Sequence, residues 1–313
     1  MGLYLVKRLL ATIPVMLFVA VFIFLLLRLT PGDPAAMLAG DYATDAQIEE
    51  IRQKLGLTEP LLKQFIIWFF NTIQGDLGES FYFKKQVTDL IAARLEPTLS
   101  LSIVTILLTV SIAVPMGVIA AYRQGSWTDR LLMGFSALGF SVPVFVIGFA
   151  LVYVFAIKLD WLPVQGYKRI SGGLLPWITY LILPSLALSV IFIAFIARMT
   201  RTSVLEVLGE DYIRTARAKG QTESKVLVRH ALRNAAVPIV TVIGFAFAIL
   251  IGGVVVTESV FNIPGLGLLT VEAVLNRDFP AIQAVVLLFS LVYVLINLVI
   301  DLTYTLLDPR IRY

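Results

Sequence analysis

Few residues in this sequence could take part in covalent or metal chemistry. Of the 313 residues none is cysteine and one is histidine, His230, so no disulfide or thiolate metal site can form. The sequence has no G-x-x-x-x-G-K-[ST] motif, which would bind nucleotide phosphates, and no H-E-x-x-H motif. We therefore expect no catalytic residue, no metal site and no cofactor bound by this chain.

Two acidic residues, Glu258 and Asp301, could serve a different chemistry, the coupling of ion or proton movement to transport. Such coupling usually needs ionisable groups near the middle of the membrane. Both residues lie near the ends of apolar runs, where acids more often cap helices or anchor them at the interface. An ion-coupled secondary transporter or channel is therefore the alternative function for this sequence, with few residues to favour it.

The most informative polar segment is 205–237, which separates two long apolar runs. A break of this kind between apolar runs is typical of a loop on one side of a membrane. Together with the residues just upstream it holds eight positive charges, at Arg198, Arg201, Arg214, Arg217, Lys219, Lys225, Arg229 and Arg233.

The order of charges in this loop predicts a short helix, Glu210–Lys219. Acidic residues begin it and basic residues end it, as the helix dipole favours, and Gly220 suits the position after its last turn. Its less polar face would hold Tyr212, Ile213 and Ala216. Because so short a helix is unstable alone, we favour a groove on a partner subunit as its binding site. A basic surface attracted to anionic lipid is the alternative.

The composition indicates the elements that must position this loop. Hydrophobic residues make up 58% and charged residues 15% of the chain, where a soluble domain would have about 25% charge. No ten-residue alternation of the β-barrel type is visible. We expect an all-α polytopic membrane protein of six transmembrane helices, in the uncharged runs Leu9–Leu27, Pro97–Tyr122, Leu131–Ile157, Ile170–Ala197, Asn234–Thr257 and Phe279–Ile300.

The distribution of Lys and Arg predicts the orientation of these helices. With both termini inside, the inner segments hold 14 Lys and Arg and 6 Asp and Glu, whereas the outer segments hold 10 and 14. Both termini and the loop 198–233 are therefore expected to be cytoplasmic. The first run is too long for a usual signal peptide and no cleavage site follows it, so we expect a retained first helix.

The predicted outer segment 31–96 contains helical signals. Thr44 and Gln47 form a capping-box pattern before a run that ends near Gly56, with Ile48, Ile51 and Leu55 on one face. A second, aromatic-rich run follows over 61–75. It suits a helix lying at the outer membrane interface, and a small folded lid without lipid contact is the alternative.

The third predicted outer loop, 258–280, contains a Pro-Gly pair and a further glycine that predict a turn. A re-entrant loop that gates the pathway is one interpretation, and a plain turn followed by a short amphipathic helix is the other. The candidate gate residues are Glu258, Pro264, Gly265 and Gly267.

Several segments resemble a known family. Ala216, Gly220 and Leu232 match the EAA loop of ABC importer permeases, Glu-Ala-Ala, three residues, Gly, nine residues, Ile-x-Leu-Pro. The positions that differ, and that are typical of the peptide and nickel branch, are Arg214, Thr215, His230 and Arg233. Further similarity to this branch lies in the sequences RLTPGDP at 28–34, ESVFNIPGLG at 258–267 and DLTYTLLDPRIRY at 301–313. The segment between helices 1 and 2 is similar to that of the B-type subunit.

The resemblance implies a permease subunit, in a bacterial inner membrane, that forms half of the pathway of an ATP-driven importer. Its implied partners are a second, C-type permease subunit, two ATPase subunits that bind ATP and Mg²⁺, an extracytoplasmic substrate-binding protein and membrane lipid. No nucleic acid is expected. The implied substrate is a dipeptide, an oligopeptide or a related small solute such as glutathione, a nickel chelate or an oligosaccharide.

The resemblance also assigns the loop 201–233 to ATPase coupling. Its implied coupling residues are Glu210, Asp211, Tyr212, Ile213, Arg214, Thr215, Ala216, Arg217, Lys219 and Gly220. We expect three parts of the chain: the N-terminus with the first helix (1–30), a helical extracytoplasmic insert (31–96) and a five-helix permease core (97–313).

Overall fold

The computed structural model of the chain describes residues 2–29, 33–39, 43–54 and 56–307. Leu55, the centre of the 28–34 motif and the last six residues of the 301–313 motif lie outside the described residues. The described residues are helical throughout, apart from loops and one isolated antiparallel bridge between Glu79 and Gln86. The α-helices are α1 (Gly2–Leu29), α2 (Pro34–Ala39), α3 (Asp45–Lys54), α4 (Leu61–Ile73), α5 (Val87–Tyr122), α6 (Trp127–Ser141), α7 (Val144–Leu151), α8 (Leu174–Leu208), α9 (Asp211–Ala218), α10 (Glu223–Lys225), α11 (Ala236–Gly253), α12 (Val255–Val260), α13 (Leu266–Leu275) and α14 (Phe279–Leu307).

Two of these helices continue as π-helices, in which the hydrogen bonds join residues five apart. One is Val152–Lys158, directly after α7, and the other is Val226–Leu232, directly after α10. A short 3₁₀ turn, Ile170–Gly172, precedes α8. The uncharged runs of the sequence give no sign of either π-helix.

Within the described residues four helices are long and apolar enough to cross a membrane, and the number rises to six if each of two bent pairs forms one span. The four are α1, α5, α8 and α14. The bent pairs are Trp127–Ser141 with Val144–Lys158, bent by 101°, and Glu223–Leu232 with Ala236–Gly252, bent by 65°. The protein is therefore all-α and carries several helices able to span a membrane.

The first bent pair occupies the run Leu131–Ile157, for which the sequence predicts one helix. Val142 is extended, with φ −102° and ψ 124°, and Pro143 begins the second arm as its N-cap. The proline ring disfavours the α conformation at the preceding residue and supplies no N–H, which suits a break at this position. The expected single helix is therefore two arms joined by a sharp break.

The described residues of 1–95 and 268–294 form one compact unit. The predicted capping box is confirmed here, because the Thr44 N–H donates to Gln47 Oε1 at 2.9 Å and the Gln47 N–H to Thr44 Oγ1 at 3.4 Å. Helix α3 then ends before Gly56, whose φ of +65° suits glycine. Within this unit α4 packs against α1.

The described residues of 96–267 and 295–307 form a second compact unit, centred on α8. The most apolar stretch of α8 is 67% buried, compared with 17% in α1, so α8 is the core of this unit. Helices α6, α7 and α11 all pack against it. Where α5 crosses α8, a Cβ on Gly117 would lie 2.6 Å from the Ala197 carbonyl oxygen, so only glycine allows this close approach.

Candidate functional site

The predicted short helix of the basic loop is present as α9, Asp211–Ala218. Glu210 is its extended N-cap residue and Lys219 its C-cap residue, so the predicted range Glu210–Lys219 covers the helix and its two caps. Gly220 follows with φ +75°, a conformation that side chains with a Cβ rarely adopt. The acidic start, basic end and terminal glycine therefore specify the element as expected.

An ion pair closes the turn after this helix. Arg217 Nε lies 2.9 Å from Glu223 Oε1 and Nη2 lies 3.3 Å from Oε2, a bidentate arrangement across Gly220. Both side chains are about 40% exposed, so the pair fixes geometry and contributes little stability. Thr222 is the N-cap residue of α10, and α9 packs against the following π-helix Val226–Leu232.

The apolar face expected on this helix is not free for a partner. Ile213 is fully buried within its own chain, whereas Tyr212 is 43% exposed and Ala216 half-buried. The expectation that all three apolar residues need an external groove is therefore wrong for Ile213, because the loop folds back over the helix. What α9 presents outward is Tyr212 and a charged surface that includes Asp211 and Arg214.

Tyr212 lies near the Asn234 side chain. Partial burial and the nearby Glu210 carboxylate raise the pKa of the tyrosine hydroxyl above its usual value. Asn234 donates from its side chain to the His230 carbonyl at 2.7 Å, so Tyr212 lies beside the residues that precede α11.

A buried ion pair that the sequence did not reveal connects α8 to α6. Arg201 donates from Nε to Asp129 Oδ1 at 2.6 Å and from Nη2 to Oδ2 at 2.7 Å. The Asp129 side chain is 6% exposed and also accepts the Gly125 N–H at 3.0 Å. In the sequence Arg201 counts only as one of the loop's positive charges. Because Arg201 lies about two turns before the end of α8, the pair fixes the segment that leads into α9.

Two of the predicted gate residues, Gly265 and Gly267, pack against the buried carboxylate of a third, Glu258. Glu258, in α12, is fully buried and accepts a hydrogen bond from the Thr98 hydroxyl at 2.7 Å. The same hydroxyl oxygen accepts the Leu266 N–H at 2.8 Å, so Thr98 ties the carboxylate to the start of α13. Thr98 lies in an apolar run, and the sequence gives no signal for its role.

The two glycines of this loop are needed for space. A Cβ on Gly265 would lie 2.0 Å from Glu258 Oε1, and a Cβ on Gly267 would lie 2.9 Å from Oε2. Neither glycine has a positive φ, so the turn itself does not demand them. Pro264 is exposed beside them. The sequence therefore predicts the turn correctly, and the close packing against Glu258 adds the physical reason for its glycines.

The loop 159–173, between the π-helix Val152–Lys158 and α8, is fastened to the same few residues of α5. Glu96 Oε1 accepts the Tyr167 hydroxyl at 3.1 Å and the Ile170 N–H at 2.9 Å. Ser100 lies 3.0 Å from the Tyr167 hydroxyl and accepts the Trp177 indole N–H at 3.0 Å. The Gly166 N–H also donates to the Phe261 carbonyl at 2.7 Å, joining the two loops directly. We call Glu96, Thr98 and Ser100 the α5 fastening site.

Chemistry of other kinds has little support in the part of the chain that the structure describes. Within it no group of three or more His, Asp and Glu residues could hold a metal ion. His230 is half-buried in the π-helix, and its backbone carbonyl accepts the Asn234 amide. The arrangement suits docking, fastening and movement of helices.

Comparison with known proteins gives two family matches that together cover nearly the whole chain. Residues 113–313 match the binding-protein-dependent transport system inner membrane component family, and residues 1–102 match the N-terminal membrane component of such systems.

Similar curated proteins include three transporter subunits of full length. The chain is 57% identical to a probable peptide ABC transporter permease protein of Sinorhizobium fredii, over 100% of both chains. It is 46% identical to the glutathione transport system permease protein GsiC of Escherichia coli K12, over 99% of both chains. It is 45% identical to a putative peptide transport system permease protein of Brucella abortus, over 98% of both.

A solved structure shares the fold. An inward-facing structure of the methionine ABC transporter MetNI superposes on 70% of this chain and 96% of its own, with a TM-score of 0.58 and 18% sequence identity.

Proposed function

Because the chain belongs to the family of binding-protein-dependent transport system inner membrane components, we propose that it forms one half of the pathway of an importer for peptides. It is a permease subunit of an inner-membrane ABC transporter, and in this family ATP hydrolysis belongs to separate ATPase subunits. The peptide substrate is proposed from relatives that are named for peptides and, in one case, for glutathione. Family membership decides against an ion-coupled secondary transporter.

We propose that α9 and its caps, with Gly220, dock in a groove of a partner ATPase. The support is the protruding position of α9 and its exposed surface of Tyr212, Asp211 and Arg214. Ile213 supports the helix from within the chain, and the Arg217–Glu223 pair sets its angle to the next helix. ATP and Mg²⁺ would be held by the ATPase subunits.

Movement of α9 would reach the membrane helices through the Asp129–Arg201 pair. Asp129 and Arg201 are positioning residues in this proposal, since they would touch neither substrate nor nucleotide. A bidentate pair with one nearly buried carboxylate resists changes in the angle between its two helices. A shift of the end of α8 would therefore carry the start of α6 with it.

At the other end of the second unit, we propose that Glu258, Pro264, Gly265 and Gly267 form part of the outer gate. The Thr98 hydroxyl fastens this loop to α5, and Glu96 and Ser100 fasten the neighbouring loop. With both loops tied to the α5 fastening site, the gate would move as one body. A loop held only by its ends would move independently.

The proposed topology has six spans, with each bent pair counted as one, and both termini in the cytoplasm. The three proposed parts are 1–30, the extracytoplasmic insert 31–96 and the permease core 97–313. An importer of this family contains a second permease, ATPase subunits and a substrate-binding protein. We propose that the second permease here is a C-type subunit, so that the pathway is a heterodimer.

The proposal is tested by reconstituting the chain with its partner subunits in liposomes and measuring uptake of a radiolabelled dipeptide or oligopeptide mixture. Uptake should require Mg-ATP on the side of the membrane that carries the ATPase subunits. It should also require the substrate-binding protein on the opposite side. Uptake driven by an ion gradient without ATP would contradict the proposal. The purified chain alone should hydrolyse no ATP.

A further inference from the structure

Helix α4, Leu61–Ile73, has one side packed against the first membrane helix. The Phe65 ring lies 5.3 Å from the Phe24 ring in edge-to-face geometry, and the Trp68 ring lies 5.6 Å from it. The Phe24 side chain is 1% exposed, so these aromatic contacts cover it fully. The two helices are therefore held together by side chains of the same cluster.

This contact fixes the depth of α4. Phe24 lies in the apolar run of α1 and precedes the end of the helix at Leu29 by five residues, or about 8 Å along the helix axis. A helix that packs on Phe24 therefore lies beside the last turns of a membrane span. That level corresponds to the boundary between acyl chains and headgroups.

A second side of α4 is apolar and uncovered. Its four large side chains lie within about 80° of arc at 3.6 residues per turn, and their exposed fractions are 71% for Leu62, 45% for Ile66, 57% for Phe70 and 65% for Ile73. We call these four residues the α4 apolar stripe. The described residues do not cover it, and an uncovered row of this length is unusual on a surface in water.

The side of α4 that faces away from the stripe lines a cavity of about 670 Å³ with two polar residues, Gln64 and Asn71, and two apolar ones, Ile67 and Trp68. The Gln64 side-chain amide donates to the Leu57 and Glu59 carbonyls at 3.1 and 2.7 Å. The polar groups of α4 that bond within the chain therefore lie opposite the stripe.

We propose that α4 is an interfacial membrane anchor whose apolar stripe lies among the acyl chains of the outer leaflet. Lipid is the occupant that fits the depth set by Phe24, the unbroken apolar row and the position of Gln64 and Asn71 on the opposite side. The choice of leaflet rests on the proposed topology, in which segment 31–96 is extracytoplasmic. The proposed contact with lipid does not depend on that topology. The stripe would hold the insert flat on the membrane beside α1.

The test uses the chain's lack of cysteine, which allows a single nitroxide label at any chosen position. Ile66→Cys and Phe70→Cys place the label on the stripe, and Lys63→Cys places it on the neighbouring side, where Lys63 pairs with Glu59 at 2.8 Å. Each labelled importer is reconstituted with its partners in liposomes of phosphatidylethanolamine and phosphatidylglycerol. Peptide uptake by each variant verifies that the assembly is intact.

Collision with oxygen, which concentrates in lipid, is then compared with collision with a water-soluble nickel chelate. Labels at positions 66 and 70 should collide severalfold more with oxygen than with the chelate, and the label at position 63 should show the reverse. Strong collision with the chelate at 66 and 70 would overturn the proposal, because the stripe would lie in water. Weak collision with both reagents would also overturn it, since another protein subunit would then cover the stripe.

Ascorbate added outside separates this proposal from the proposed topology, since it reduces exposed nitroxides without crossing the bilayer. Rapid loss of the label at position 63 is expected. If the label at position 63 survives ascorbate while the labels at 66 and 70 still contact lipid, the outer-leaflet assignment and the topology are overturned. The helix would then lie at the inner interface of the membrane.

Discussion

Replacing Thr98 by valine tests whether the α5 fastening site holds the candidate gate. Valine has nearly the same shape as threonine and loses only the hydroxyl, so the packing around α5 should be kept. The change removes the donor that lies 2.7 Å from Glu258 and the acceptor that lies 2.8 Å from the Leu266 N–H. Glu258 and Leu266 each have further interactions, so neither residue is left without a partner.

The expected effect follows from the cost of a weakened buried hydrogen bond. Removing one partner of a buried polar group costs about 1–3 kcal/mol, and bonds to a charged group lie in the upper half of that range. Because Glu258 and Leu266 both keep some of their partners, we expect the loss of the two Thr98 hydrogen bonds to cost about 2–3 kcal/mol in total. At about 1.4 kcal/mol per factor of ten, the loop should open about 30- to 150-fold more often.

Cysteine labelling measures this opening. Ile263 lies in the loop and is fully buried, so an Ile263→Cys thiol should react only when the loop opens. The rate of maleimide labelling should rise about 30- to 150-fold when Thr98→Val is added. The control is Ser111→Ala on the same helix, where the hydroxyl bonds only to the Leu107 carbonyl at 2.7 Å. A rise below twofold for Thr98→Val, equal to that of the control, would refute the fastening role.

Three further changes test the other end of the second unit. Asp129→Asn should destabilise the assembled importer by about 2–3 kcal/mol, which is less than the roughly 3–5 kcal/mol for breaking a fully buried pair because Arg201 keeps some exposure. Asp211→Asn, whose ion pair is exposed, should leave the thermal midpoint unchanged. Gly220→Ala should lower the stability of the loop by about 1–2 kcal/mol, because φ is +75° at this residue. Substrate-stimulated ATP hydrolysis by the assembled importer should fall as well. Equal ATPase activity in Gly220→Ala and wild type would argue against a role of the turn at Gly220 in coupling. A single cysteine at position 220 should react with an impermeant maleimide only from the cytoplasmic side, and labelling from outside would overturn the topology.

The parts of this fold that local chemistry specifies could be predicted from the sequence. The Thr44–Gln47 capping box and the acid-to-base order over 210–219 each act within one or two helical turns, so the residues that determine them are neighbours in the chain. The long apolar runs can likewise be recognised as helices from their composition alone. In both cases the physical cause lies inside the segment it shapes.

The parts that depend on distant neighbours could not be predicted. Asp129 and Arg201 are 72 residues apart, and Thr98 and Glu258 are 160 apart, so no spacing rule joins them. The burial of Ile213 is of the same kind, because a helix with an apolar residue looks identical whether its own loop or a partner covers it. Segment 142–143 combines both kinds of cause. Pro143 marks in the sequence where the helix is interrupted, while the packing of both arms on α8 determines the angle between the arms.

The 101° break at Pro143 has a consequence for the biogenesis of this protein. Each arm of the bent pair, Trp127–Ser141 and Val144–Lys158, has 15 residues and reaches about 22 Å, less than the ~30 Å of hydrocarbon. The backbone groups at the break need protein neighbours at membrane depth, and α8, which packs on both arms, is synthesised after them. In the proposed six-span topology the run 131–157 enters the bilayer before α8 is there to pack on it. We therefore expect its final bend to form after α8 has inserted.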